Sequence, residues 1–280
     1  MAIFLAGFTG ILGRLITLNE GMLVWYRMLF TIIALWLIVF ISRNRESVTQ
    51  KELVKMYLVG AIVALHWVFF YGSIKYANVS IGLVCFSAVG FFTALLEPLI
   101  LGRRIIPAEL ILGILVMIGI YFIFHFDPRY KTGILLGIIS SLLATAFTIF
   151  NKILLKQHSA RQVTLHELTG GWLSLTVLLP VYLYAFPVQQ FLPSWSDTGW
   201  LIVLSLFCTV LAFNLSMSAL RKISPFTVNL SYNLEPLYGI LLAFIIYRED
   251  RELEKGFYIG ISIILFTVIL QSIRIWKMKS

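Results

Sequence analysis

The sequence predicts an all-α integral membrane protein in which ten transmembrane helices form two five-helix repeats of opposite orientation. Three observations carry that prediction. The chain is 60% hydrophobic and 12% charged, with a mean hydropathy of +0.93, whereas a soluble domain is about 25% charged. Windows of about 20 apolar residues, the length that crosses a bilayer, recur along its whole length. Finally, the block from Ile74 to Arg104 returns, 146 residues later, as the block from Leu220 to Asp250.

In chain order the expected spans are roughly 2–18, 21–42, 53–75, 79–101, 107–126, 132–155, 163–186, 198–220, 225–247 and 256–275. They are rich in Leu, Ile and Phe without strict alternation, so they read as helices rather than barrel strands. Few connectors exceed about ten residues, which leaves no room for a second, soluble domain. The first run is short for a span and has no basic region ahead of it, so no cleavable signal peptide is expected. Either that helix tilts little and ends early, or residues upstream of Met1 are missing.

Within the repeat, Ile74-Lys75-Tyr76-Ala77-Asn78-Val79 lies opposite Leu220-Arg221-Lys222-Ile223-Ser224-Pro225. An apolar span follows in each copy. Gly102-Arg103-Arg104 closes the first copy and Arg248-Glu249-Asp250 the second. Two repeats are expected, at 1–126 and 132–275. Each holds an odd number of spans, so the second must enter the membrane the other way up.

Lys and Arg set the orientation. With a cytoplasmic N-terminus, the inner loops hold Arg43, Arg45, Lys51, Lys55, Arg103, Arg104, Lys156, Arg161, Arg221, Lys222, Arg274, Lys277 and Lys279. The outer loops hold only Lys75, Arg129, Lys131, Arg248, Arg251 and Lys255. Both termini are therefore expected on the cytoplasmic side of a cytoplasmic (inner) membrane. The formal charge of +9 reflects this loop bias; no soluble segment is large enough to form a nucleic-acid module. Cys85 and Cys208 both fall in apolar spans, which suits packing and gives neither a disulfide framework nor a metal-ligand spacing.

Intramembrane polar residues are the functional candidates, because each charge costs about 2.5–3.5 kcal/mol at a helix centre. Glu235 lies mid-depth in the ninth span. Asn229, Asn233 and Pro236 recur at helical spacing beside Tyr232. These residues read as a polar cavity wall, or else Glu235 pairs with a packing partner. Pro236 removes a backbone bond to Tyr232. In the third span His66 and Trp67 read either as cavity lining or as a satisfied core histidine beside an aromatic stripe. Arg14 and Arg27 in the first half correspond to Lys152, His166 and Glu167 in the second. That pattern suggests a gating or coupling cluster near each face; snorkelling accounts well for the cations but less well for Glu167. Asn214, like Asn151, offers neutral hydrogen bonding, often interhelical glue. Glu97 is expected to pair with Arg103 or Arg104, and Gly133 and Gly137 to permit close helix packing.

These features together resemble a known family. Ten helices in two inverted five-helix repeats, an Arg early in the second span (Trp25-Tyr26-Arg27), and Ala219-Leu220-Arg221-Lys222-Ile223-Ser224-Pro225 leading to Leu234-Glu235-Pro236 are similar to the drug/metabolite transporter superfamily, specifically its EamA family. The first half departs from the family pattern at Ser87-Ala88-Val89-Gly90, where Pro is frequent, and at Gly102-Arg103, where Gly-Glu is frequent. The resemblance implies a secondary transporter that moves a small metabolite, an amino acid or related compound, across the membrane by alternating access. Export is the implied direction. No ATP-binding motif is present, so uphill transport is expected to draw on an ion gradient, protons first among the candidates, with facilitated diffusion as the alternative. Phe86 is expected to line the cavity across the repeat interface. A monomer or homodimer in the lipid bilayer is expected, without cofactor or metal. The alternative is a membrane-embedded transferase acting on a lipid-linked substrate. No H-E-x-x-H arrangement, clustered Asp or Gly-rich phosphate loop supports that alternative.

Overall fold

The computed structural model describes residues 2–42, 48–126, 128–188, 190–232 and 234–279. Every regular element among them is helical: α1 (Ala2–Leu15), α2 (Glu20–Ser42), α3 (Gln50–Tyr76), α4 (Val79–Phe86), α5 (Val89–Leu101), α6 (Pro107–Phe126), α7 (Lys131–Leu154), α8 (Ala160–Ala185), α9 (Trp195–Ser205), α10 (Ala212–Lys222), α11 (Pro225–Tyr232), α12 (Glu235–Tyr247) and α13 (Lys255–Lys279). A π-helical stretch, Leu206–Leu211, joins α9 to α10. Six stretches are long and apolar enough to cross a membrane: Glu20–Ser42, Gln50–Tyr76, Val79–Leu101, Lys131–Leu154, Ala160–Ala185 and Trp195–Lys222. Four shorter apolar helices accompany them, namely α1, α12, Pro107–Ile123 within α6 and Lys255–Leu270 within α13.

The helix starts follow from local chemistry. Thr49 and Glu52 form a reciprocal capping box at α3, while Asn78, Ser159 and Ser194 cap α4, α8 and α9 through their side-chain oxygens. Each such cap satisfies a backbone N–H that the helix itself cannot.

Two of the spans read as continuous from sequence, 79–101 and 225–247, are each two helices. After Phe86 the bonds tighten to three-residue turns, with Ser87 N donating to Val84 O at 3.0 Å and Ala88 N to Cys85 O at 3.1 Å. After Tyr232 the same happens: Leu234 N donates to Ser231 O and Leu237 N to Leu234 O, both at 3.2 Å. There Pro236, which has no N–H to give, occupies the first turn of α12. The helix ends at Phe86 and Tyr232, and the restarts at Val89 and Glu235, are separated by the same 146 residues as the sequence repeat. The far ends agree as well. Gly102 (φ 65°) and Arg248 (φ 56°) both terminate their helices in the left-handed region. Glycine adopts it freely; for Arg248 it costs about 1–2 kcal/mol.

α3 packs along both α7 and α8, α4 and α5 pack on α7, α13 on α6, and α1 and α4 on α12. Small residues make these approaches possible. Gly133 and Gly137 let α7 settle on α3 and α4: a Cβ on Gly137 would lie 2.6 Å from Cys85 Cβ and 2.8 Å from Ser73 Oγ. Gly60 and Gly171 meet backbone to backbone where α3 crosses α8, and a Cβ on Gly171 would lie 2.6 Å from Gly60 O. The obstacle there is main chain, which cannot rotate aside. Gly171→Ala is therefore expected to destabilise the protein by about 1–3 kcal/mol, read as a lower melting temperature in detergent. An unchanged melting temperature would show that the two helices do not touch at this point.

Candidate functional site

The breaks in the two interrupted spans, together with α2, α3, α7 and the π-helical stretch, surround a cavity of about 110 Å³. Trp67, Phe70, Phe86, Phe147, Phe213 and Tyr232 contribute aromatic rings to its wall. Two buried charges, Arg27 and Glu235, stand among them.

Arg27 is 2% exposed, so it does not snorkel to a surface. Its guanidinium lies 3.8 Å from the centre of the Trp67 ring, a geometry worth about 2 kcal/mol when desolvated. Nε donates to Thr209 Oγ1 at 2.9 Å and Nη1 to the Tyr71 hydroxyl at 2.8 Å, while Nη2 reaches Cys208 O at 3.5 Å. The Thr209 hydroxyl and the Cys208 carbonyl both come from the π-helical stretch, where wider turns alter which backbone groups remain available. Nothing in the composition or spacing of Leu206–Leu211 marks that stretch from sequence.

Glu235 begins α12 and is 3% exposed. Arg27 acts on it electrostatically, yet no ion pair joins the two. Among the described residues, the Glu235 carboxylate accepts no hydrogen bond. An opposite-charge pair that faces one cavity without closing on itself leaves its attraction available to a ligand.

His66 is both hydrogen-bonded and part of the cavity wall. Its Nδ1 lies 2.9 Å from Ser140 O and 2.8 Å from Ser140 Oγ. Since a carbonyl can only accept, Nδ1 carries the hydrogen. Nε2 is then an acceptor with no partner among the described residues, on a ring that belongs to the cavity wall. Phe86 and Phe147 flank that ring at 5.6 and 5.4 Å between centroids. On α11, the Asn229 amide donates to Thr93 Oγ1 at 2.8 Å and ties α11 to α5. The Tyr232 hydroxyl pairs with that of Ser216.

Other expected residues fall elsewhere. Asn214 is not in the wall; its amide donates to Val210 O, one turn back, at 2.8 Å. Asn233 lies outside the described residues. Lys152 caps α10, donating to Leu220 O and Ile223 O at 2.7 Å, where a cation suits the helix dipole. His166 packs edge-on to Trp36 at 6.1 Å. Arg14 pairs with Glu249, and Glu167 with Asn151. The gating or coupling set is thus dispersed: Arg14 at one end of the bundle, Lys152 at the other, and Arg27 in the cavity.

Sequence reasoning also missed Glu249, which looks like a solvated residue in a mixed-charge loop. It is fully buried. Its carboxylate accepts from Val79 N at 3.0 Å and Ser80 N at 2.8 Å, and from Ser80 Oγ at 2.5 Å. At the opposite end Glu97 accepts from Phe226 N at 2.8 Å, with Arg103 3.4 Å away. Each repeat therefore sends one carboxylate to the first turn of the other's interrupted span, where helix N-termini favour anions.

A bundle of apolar helices around a cavity that bears buried ionisable residues marks a membrane protein with a site inside it rather than a packed structural bundle. The EamA-like transporter family matches the chain over residues 1–125 and again over 131–273, and the chain belongs to that family. An uncharacterized transporter of Haemophilus influenzae is 21% identical over 275 residues, spanning 91% of this chain and 86% of that protein. A solved crystal structure is similar in fold, with a TM-score of 0.67 at 16% identity over 100% of this chain and 96% of that one.

Proposed function

We propose that the chain is an alternating-access secondary transporter of amino acids or closely related metabolites, with export as its physiological direction and a proton as its coupling ion. One observation supports this above the others: Arg27 and Glu235 face the same aromatic cavity without pairing to each other. A substrate ammonium fits Glu235, a substrate carboxylate fits the remaining donors of Arg27, and an apolar side chain fits the rings between them. His66, Trp67, Phe86, Asn229 and Tyr232 complete the binding wall. Ten spans, in repeats at 1–126 and 132–275 inverted with respect to each other, provide the scaffold. Both termini are cytoplasmic.

On this orientation the outer end is the closed one. There Arg14 holds Glu249, Lys75 donates to Ile16 O at 2.9 Å, and Thr17 Oγ1 donates to Asp197 at 2.7 Å. The cavity wall instead continues through Asn151, Met217, Leu220 and Val228 towards the cytoplasmic end.

Metabolite profiling of the medium from over-expressing cells tests the proposal. At least one amine-bearing metabolite is expected to accumulate several-fold over cells that express Glu235→Ala at the same level. Identical profiles for the two proteins would overturn the proposed substrate class.

A further inference from the structure

Glu167 sits two turns into α8 with no exposed surface. Its Oε1 accepts from Asn151 Nδ2 at 2.9 Å. The other oxygen of the carboxyl, Oε2, and the other polar atom of the amide, Asn151 Oδ1, are both buried without a partner.

The surroundings supply no counter-charge. α3 meets α8 through backbone at Gly60 and through Tyr57 beside Gly170. α2 contributes Trp36, which donates to Thr169, and Trp25, which donates to Thr176. On α7, Lys152 is spent on the α10 carbonyls. α10 also packs on α8, but its cations, Arg221 and Lys222, are exposed at its last turn. Along α8, His166 faces Trp36 and Arg161 donates to Ser42, and just before the helix His158 lies 3.4 Å from Glu52. Glu167 has no ion pair among the described residues.

A lone carboxylate in such a place costs several kcal/mol, and the hydrogen-bond inventory shows how the cost is avoided. An ionised carboxylate only accepts, and so does an amide oxygen. Oε2 and Oδ1 are then two acceptors left over from one pair of groups, with nothing to share. A single proton on Oε2 turns it into a donor, and the remaining acceptor of the same pair is Oδ1. With Nδ2 and Oε1 already 2.9 Å apart, one proton on Oε2 can satisfy both orphan atoms by closing a ring of two parallel hydrogen bonds.

We infer that Glu167 and Asn151 form a neutral acid–amide pair, a proton-binding site set one residue behind the wall of the central cavity. Asn151 belongs to both structures, since it also lines the cavity. Resting on the transport proposal above, the pair is where the coupling proton rides. Opening of the ring towards the cavity, through Asn151, lets water reach Oε2, solvate the carboxylate and take the proton.

Infrared difference spectroscopy on the purified full-length protein tests the site, and proteoliposome assays test the coupling. At neutral pH the wild type minus Glu167→Gln spectrum is expected to contain the C=O stretch of a protonated carboxyl. Gln replaces the acid O–H with an amide N–H donor, so the ring and the fold are preserved. Asn151→Leu, which keeps Glu167 but removes its partner, is expected to shift that same band and serves as a second probe. A difference spectrum containing only carboxylate bands, or a band indifferent to Asn151→Leu, overturns the site. For coupling, a pH gradient is expected to drive accumulation by the wild type, and Glu167→Gln to lose that accumulation completely. A protonated band with gradient-driven accumulation intact in Glu167→Gln upholds the proton site and overturns its role in coupling. Wild-type liposomes that move no amine-bearing metabolite refute the transport proposal and leave the spectroscopic result standing.

Discussion

Glu249→Ala is expected to destabilise the protein by about 3 kcal/mol, the low end of the range for breaking a buried ion pair, since Glu249 is fully buried while the Arg14 side chain is 32% exposed. The loss is concentrated because one carboxylate does four things. It accepts from two consecutive N–H groups at the start of α4, from the Ser80 hydroxyl, and from Arg14. Arg14 in turn packs over Tyr247 at 4.5 Å. Alanine leaves two backbone donors and a hydroxyl buried without acceptors, and a guanidinium without its anion. The corresponding change at the other end, Glu97→Ala, removes one backbone acceptor and a pair to Arg103, whose side chain is 58% exposed. Exposed pairs are worth about 0–1 kcal/mol, so the two ends should differ severalfold. Melting of both variants in the same detergent checks the ordering. Equal losses would mean that the buried network around Glu249 is open in solution. On the proposed alternating-access cycle, opening of this end would require α4 to leave Glu249.

How much of this was legible beforehand varies with the length scale of the physics. The helices follow from apolar windows, and the duplication from matched element lengths, because both are local and recur along the chain. The interruption of spans four and nine was only half visible. Pro236 announces one break, whereas Ser87-Ala88 carries no such residue and breaks through three-residue turns that the surrounding packing permits. Arg27 shows where one-dimensional reasoning stops. Its position along α2 suits a headgroup contact, and only the meeting of α2 with Trp67, Tyr71 and Thr209 makes it a cavity residue. Glu249 was misread for the opposite reason. Three other acidic residues within the same short loop dilute the signal, and burial at the tip of α4 is a property of the other repeat. Asn214 and Lys152 were correctly noticed as polar but satisfy backbone carbonyls, a role that residue type alone does not distinguish from a site.

Glu235→Gln is expected to weaken binding of an amine-bearing substrate by about 3 kcal/mol, within the range for truncating one side of a buried charge pair, or on the order of 10²-fold in Kd. The substitution preserves shape, and the carboxylate makes no hydrogen bond within the described chain, so little stability should be lost. That contrast with Glu249 separates a site residue from a structural one. Arg27→Lys should also weaken binding, but through a different route. A lysine ammonium cannot keep the planar stack on Trp67 while donating to Thr209 and Tyr71, so stability and affinity fall together. The anchoring role makes a discriminating demand on ligand chemistry. An analogue lacking the amine should bind the parent weakly and be nearly indifferent to Glu235→Gln, because the removed charge had no partner to lose. Isothermal titration of parent and variant with an amine-bearing ligand and its deaminated analogue reads this directly. If Glu235→Gln costs both ligands equally, the carboxylate does not hold the ammonium. A role in proton exchange would be the remaining account, visible as lost gradient-driven accumulation with substrate exchange preserved. Should binding, exchange and pH dependence all match the parent, Glu235 only shapes the start of α12.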